Sequence, residues 1–99
     1  MAVRGHSMAP GLRDGDWLLI DPDAYRLMPP RAGQLVLAES PDGPLVKRAR
    51  ESTADGSVLL VGDAPSGAAH RHDVIVPLFA ISGRPWFRYW PLRRIGRVA

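Results

Sequence analysis

The spacing of turn-forming residues constrains this chain more than any other feature. Pro10-Gly11, Asp14-Gly15, Pro22-Asp23, Pro29-Pro30, Pro41-Asp42-Gly43, Asp55-Gly56, Ser66-Gly67 and Ser82-Gly83 interrupt it at short intervals. Between them lie short apolar, β-branched or aromatic runs: Trp17 to Asp21, Gln34 to Glu39, Leu45 to Arg50, Ser57 to Val61, Val74 to Ile81 and Trp86 to Trp90. No sustained 3.6-residue periodicity runs through them, apart from a single helical turn expected around Asp23 to Leu27. Closely spaced short strands predict an all-β domain, a coiled antiparallel sheet with a barrel-like core. The 99 residues suffice for one hydrophobic core. No linker, repeat or low-complexity stretch divides them, so a single domain over residues 1–99 is expected.

Composition removes several function classes. With no cysteine, disulfides and thiolate metal sites are excluded, and no cofactor is expected. No apolar run approaches the ~18 residues of a membrane-spanning helix, and no signal-like segment precedes the first motif. The expectation is a cytoplasmic chain, or a membrane-associated one if the sequence is a piece of a longer protein. The net charge of +3 is unevenly placed. Arg84, Arg88, Arg93, Arg94 and Arg97 follow one another without an acidic residue, interleaved with Trp86, Phe87, Tyr89 and Trp90. Two readings stand: a last strand with its apolar residues inward and its arginines in water, or a basic aromatic surface for phosphate or lipid headgroups. Under the second, Trp86, Phe87 and Trp90 make a peripheral membrane contact.

One cation is unlike the rest. Thirteen residues are Lys or Arg, and Lys47 is the only lysine. Lysine, unlike arginine, can give up its proton within a protein. The clearest hairpin runs from Gln34 to Glu39, through a Ser-Pro-Asp-Gly-Pro loop, to Leu45 to Arg50. Alternation along the second strand puts Leu45, Lys47 and Ala49 on one face and Val46, Arg48 and Arg50 on the other. If the arginines mark the wet side, Lys47 points inward.

Far upstream, Gly5-His6-Ser7-Met8-Ala9-Pro10 sets a serine in a turn-forming context. A serine hydroxyl is a poor nucleophile until a base takes its proton, and serine/lysine pairs do this work in some hydrolases. At its reference pKa of ~10.4 a lysine is deprotonated in only about one molecule in 2500 at pH 7. Apolar burial shifts that balance toward the neutral amine. A catalytic Lys47 therefore needs neighbours such as Leu45, Ala49 and Met8 and no carboxylate close by. Rival readings use some of the same residues. Lys47 can instead hold its head in water or pair with an aspartate. A triad would join Ser7 to His6, His70 or His72 and an aspartate such as Asp73, and a metal site would use His70 and His72 with Asp63 or Asp73. A basic β-barrel would bind nucleic acid or an anionic membrane surface through residues 84–97.

Gly5-His6-Ser7-Met8-Ala9-Pro10-Gly11-Leu12, Arg13-Asp14-Gly15-Asp16-Trp17-Leu18-Leu19-Ile20, Arg31-Ala32-Gly33-Gln34-Leu35-Val36, Val46-Lys47-Arg48 and Gly62-Asp63 occur in this order. Together they resemble the type I signal peptidase family from residue 3 to about residue 77. The late Arg-Tyr-Trp-Pro-Leu-Arg-Arg-Ile-Gly stretch is similar to small members described as nickel-type superoxide dismutase maturation proteases. The self-cleaving repressors share the serine/lysine chemistry, but their DNA-binding and cleavable upstream segments have no counterpart in this sequence.

The resemblance implies that Ser7 is the nucleophile, with its own N–H as oxyanion donor, and that Lys47 is the general base. Met8 and Pro10 would line the substrate cleft, and Asp14-Gly15-Asp16 would turn the chain into the next strand. The substrate would be a precursor protein or peptide bound as an extended strand, cut to remove an N-terminal segment; no nucleic-acid partner is expected. The sequence departs from the family pattern in two places. Gly5 stands where many members carry a second oxyanion donor. After Gly62-Asp63 the chain is one residue short, leaving Ser66 as the candidate to orient the lysine and Asp63 with Arg71 as the supporting ion pair. That departure keeps a catalytically weakened relative in view.

Overall fold

The computed structural model describes residues 1–64 and 73–99. Among these residues, seven strands form one antiparallel sheet: β1 (Trp17–Asp21), β2 (Leu35–Ser40), β3 (Gly43–Ser52), β4 (Ser57–Val61), β5 (Val74–Pro77), β6 (Ile81–Trp90) and β7 (Gly96–Arg97). Their order is β1-β6-β2-β3-β4-β5, with β7 paired to β6. No α-helix occurs among the described residues, and short 3-10 turns cover Leu78–Ala80 and Leu92–Arg94. The all-β expectation holds. The sheet is open, since β1 and β5 end the ladder without pairing to each other.

The centre of the sheet is β2, whose Leu35, Val36, Leu37 and Ala38 are all buried. An unbroken apolar run of this kind belongs to a strand covered on both faces. Leu35 and Leu37 face one core cluster with Val3, Met8, Leu12, Leu18 and Val46. Val36 and Ala38 face a second with Ala49, Val58, Leu60 and Val76. The two-core arrangement corrects the simple alternation expected of β3. Val46, assigned to the wet side with Arg48 and Arg50, is buried opposite Leu37. Lys47, opposite Val36, belongs to the other face.

Two strands, β1 and β4, have the boundaries the sequence indicated, since each is a short alternating run between unambiguous turn residues. Elsewhere pairing overrode the turn signals. The β2–β3 reversal is tighter than the five-residue loop expected: Ser40 pairs with Gly43 across Pro41-Asp42, and Gly43 takes the positive φ (110°) the turn requires. Asp23 to Leu27 forms a turn held by the Arg26 N–H on the Asp23 carbonyl (3.2 Å), and no helix. Ahead of Ser7, Ala2 forms an isolated antiparallel bridge with Trp17.

The largest departure is β6. Ser82-Gly83 was expected to separate a strand ending at Ile81 from another beginning at Trp86, yet one strand runs unbroken from Ile81 to Trp90, and the break falls at Leu78–Ala80. Both apparent breakers have a place in it. A Cβ at Gly83 would stand 2.5 Å from the Asp21 carbonyl oxygen and 2.8 Å from Ile20 Cγ2. Glycine therefore lets β1 and β6 approach, rather than marking a turn. Pro85 pairs with Ile20 at a register shift between Leu19 and Ile20, where a missing N–H is tolerated. Gly83→Ala should lower unfolding stability by about 1–3 kcal/mol through this overpacking, read as a lower urea midpoint at unchanged slope; a midpoint within error of wild type would contradict the close approach.

Candidate active site

Ser7 lies in a run of turns over residues 5–12. Gly5 adopts φ +84°, and its N–H donates to Asp14 Oδ1 at 2.8 Å. The Ala9 N–H returns to the His6 carbonyl (3.1 Å) and the Leu12 N–H to the Met8 carbonyl (3.0 Å). Met8 and Leu12 are sunk into the first core, so the turn is anchored by its apolar residues while Ser7 stays half-buried. Among the described residues no backbone acceptor takes the Ser7 N–H.

The segment leaving β4 packs on Ser7. The Ala64 N–H donates to the Ser7 carbonyl at 2.9 Å. Gly62 lies so close that a Cβ there would meet the Ser7 carbonyl oxygen at 2.5 Å and Ser7 Cβ at 3.1 Å. The β3–β4 ladder pairs Ala49 with Leu60 and Arg48 with Val61, so the next positions along the two chains are Lys47 and Gly62. Val58 and Leu60 face the second core, and strand alternation puts Gly62 on that face. Ser7, lying where the Gly62 side chain would point, is therefore brought over the face of the ladder that carries Lys47. Ser7 and Lys47 share no hydrogen bond.

Lys47 is 4% exposed. Burial pushes its amine below the ordinary lysine range, and the negative charge of Asp73 pulls it part of the way back. Desolvation is the larger effect, as expected for an ammonium group opposite Val36 and beside Ala49. The carboxylate is a correction, because a base at this position was expected to have none nearby. Asp73 was considered as the acid of a histidine triad or as a metal ligand, and nothing in the linear spacing joined it to Lys47.

Asp63 also has a partner the sequence did not indicate. Arg48, assigned to solvent, grips Asp63 with Nε at 2.8 Å and Nη2 at 2.6 Å and donates to the carbonyls of Gly33 (2.7 Å) and Ala99 (3.0 Å). This forked pair fixes the position between Gly62 and Ala64, the two residues that touch Ser7. The proposed pairing of Asp63 with Arg71, the orienting role of Ser66, and the histidines at 70 and 72 lie outside the described residues.

The two residues expected to line the cleft differ. Pro10 is exposed, whereas Met8, 2% exposed, packs with Leu35, Leu37 and Val46 on the side of the sheet opposite Lys47. Its visible work is to anchor the turn. Asp14 and Asp16 do shape the entry to β1, since the Asp16 N–H bonds the Arg13 carbonyl and Asp16 Oδ2 accepts the Arg13 N–H. The arginine tail is only partly in water, because Arg88 and Arg94 turn inward onto Asp16. No cluster of His, Cys, Asp and Glu suited to a metal occurs among the described residues.

A family model described as Peptidase S24-like matches residues 1–76, a span that includes Ser7, Lys47 and the Gly62–Ala64 segment. The chain belongs to the Peptidase S24-like family. It is thus a member of a peptidase family that groups self-cleaving proteins with signal-peptidase-like enzymes. Comparisons with curated proteins and with solved structures give no match. No helix among the described residues is long and apolar enough to cross a membrane.

Two predictions follow from the packing around Lys47 and Ser7. Gly62→Ala should displace the Ser7 turn, so that amide exchange at Ala64 accelerates at least tenfold while exchange within β2 stays unchanged; an unaltered Ala64 rate would refute the contact. A lysine whose folded pKa is depressed binds fewer protons folded than unfolded, so its penalty is fully present below the folded pKa and is relieved as pH rises toward the unfolded value of ~10.4. Lys47→Met should accordingly be more stable than wild type at neutral pH by about 1 kcal/mol or more, and the gain should shrink in chemical denaturation as pH approaches 10.

Proposed function

We propose that this S24-like protein is a serine endopeptidase in which Lys47 serves as general base for Ser7. The observation that carries the reading is a lysine shielded from water on the one ladder face over which the Ser7 turn is packed. Burial favours the neutral amine, which can accept a proton. The absence of a standing Ser7–Lys47 hydrogen bond is compatible with this, since catalytic hydrogen bonds in unliganded enzymes often tighten only with substrate bound.

In the proposed reaction the neutral Lys47 amine takes the Ser7 hydroxyl proton as Oγ attacks the scissile carbonyl carbon. The Ser7 N–H receives the developing oxyanion. Collapse breaks the C–N bond, and the Lys47 ammonium returns the proton to the departing amine. A water molecule, deprotonated by the same amine, then attacks the ester, releasing the carboxylic acid and restoring the hydroxyl. Asp73 would moderate the base, holding its affinity for the proton above what burial alone would leave.

Strand pairing supports an extended protein or peptide substrate. The β3–β4 ladder ends at Arg48 and Val61, so among the described residues the stretch of β3 from Gly43 to Lys47 has no partner on its β4 side. A main chain added there would pass Lys47. Removal of an N-terminal signal or pro-segment, as in maturation proteases, is the form of cleavage we favour. A second surface adds to this reading: Trp86, Trp90, Leu92 and Ile95 are exposed, with Phe87 half-buried among them, a composition suited to peripheral contact with a membrane that carries the precursor.

Incubation with a fluorogenic peptide carrying alanines on both sides of the scissile bond, or with a candidate precursor, tests the chemistry. Ser7→Ala and Lys47→Arg should each lower turnover at least a hundredfold, because arginine keeps the charge but cannot act as base. The wild-type rate should climb with pH across the titration of an amine. Full activity in Lys47→Arg, or a rate governed by a group near 6.5, would transfer the base role to histidine.

A further inference from the structure

Lying beyond the stretch that matches the family model, which ends at residue 76, two arginines nonetheless reach back to the nucleophile turn. Arg88, near the end of β6, donates through Nη1 to the Gly11 carbonyl (2.8 Å) and to Asp16 Oδ2 (3.3 Å), and through Nε to the Arg94 carbonyl (2.6 Å). Arg94, in the following 3-10 turn, donates through Nη2 to the same Gly11 carbonyl at 3.0 Å and lies 3.6 Å from Asp16 Oδ2. Its Nη2 also reaches the Pro10 carbonyl, at 3.5 Å. All three side chains are shielded, with Asp16 3%, Arg88 14% and Arg94 16% exposed.

We propose that Arg88 and Arg94 are positioning residues that lock the turn carrying Ser7. Residues 5–12 lie outside the sheet and lack its ladder hydrogen bonds. Their carbonyls need other donors, and two guanidinium groups braced by one buried carboxylate supply them for Pro10 and Gly11. Asp16 neutralises part of the paired positive charge and, by accepting the Arg13 N–H at 2.9 Å, ties the far end of the loop to the same point. Ser7 is then held from two directions, its own carbonyl by Ala64 and the chain beyond it by the arginines. Small displacements of a nucleophile cost rate steeply, so the clamp acts on turnover through Ser7 without either arginine touching substrate. The planar spread of donors on Arg88, Nε on the Arg94 carbonyl and Nη1 on Gly11 and Asp16, is one that a lysine ammonium does not reproduce, whereas Arg94 acts through Nη2 alone.

The catalytic part of this inference rests on the Ser7 reading, but the clamp can be tested apart from it. Hydrogen exchange of wild type, Arg88→Gln and Arg94→Gln should show the Leu12 amide opening at least tenfold faster in each variant, with β4 amides unchanged. In parallel, the rate at which an alkyl fluorophosphonate modifies Ser7, read by mass on the Ser7 peptide, should fall at least fivefold, with Arg88→Lys between Arg88→Gln and wild type. With the alanine-flanked peptide the loss should appear in kcat and leave KM within twofold. Unchanged Leu12 exchange overturns the clamp, and so does acceleration that spreads equally into β4, which would mean general loosening. Faster Leu12 exchange with modification and kcat within twofold of wild type overturns the positioning role. Failure of the Ser7/Lys47 chemistry would register differently, as modification indifferent to Lys47→Arg, and would leave the exchange result standing.

Discussion

The fork between Arg48 and Asp63 holds the site together. Lys47 and Arg48 are consecutive on β3 and point to opposite faces, and the two fates of positive charge are separated accordingly. Arg48 keeps its charge and satisfies it, joining Asp63, Gly33 and Ala99. In doing so it fixes the chain leaving β4, whose Gly62 and Ala64 form the surface on which the Ser7 turn rests. Lys47 is left on the other face with its charge poorly solvated. A pair this exposed contributes modestly to stability; its importance is geometric, because it determines where Ser7 can lie.

The same geometry explains why the site works against the fold that bears it. Burying an ammonium group costs free energy unless it is paired or neutralised, and Lys47 is offset only in part by Asp73. A purely structural sequence would set an aliphatic residue there, as at Val36 across the ladder. Strain of this kind tends to persist where function needs it. The arginine clamp on Pro10 and Gly11 and the Gly62 contact are complementary supports for an irregular turn that has no sheet pairing of its own. Without such ties, residues 5–12 would keep only their local turn bonds and the apolar grip of Met8 and Leu12.

Some features were legible because their causes are local. Trp17–Asp21 and Ser57–Val61 carry their own alternation and end at residues that cannot continue a strand. The lone lysine, inward by the alternation of its strand, could be recognised as a candidate base before any coordinate was known. Other features were misread because their causes lie across the sheet. Gly83 and Pro85 look like punctuation, yet one lets β1 approach and the other occupies a register shift, so β6 runs through both. Val46 and Arg48 looked like one wet face, whereas the first core covers Val46 and Asp63 claims Arg48. Met8 was expected in the cleft from the family resemblance, but it packs into the first core beneath the Ser7 turn.

The sequence by itself determined that the fold is all-β and that Lys47 stands apart from the other cations, because strand period, turn chemistry and the scarcity of lysine are properties of short stretches; the family, and with it the choice of Ser7, came from the resemblance of motifs in order. Only the tertiary structure decided what surrounds those two residues. Which carboxylate biases Lys47, which arginine holds Asp63, and which tail residues brace the Ser7 turn depend on strands paired across wide sequence separations. Charge and hydrogen bonding act through space over a few ångströms, and a linear sequence does not record that distance.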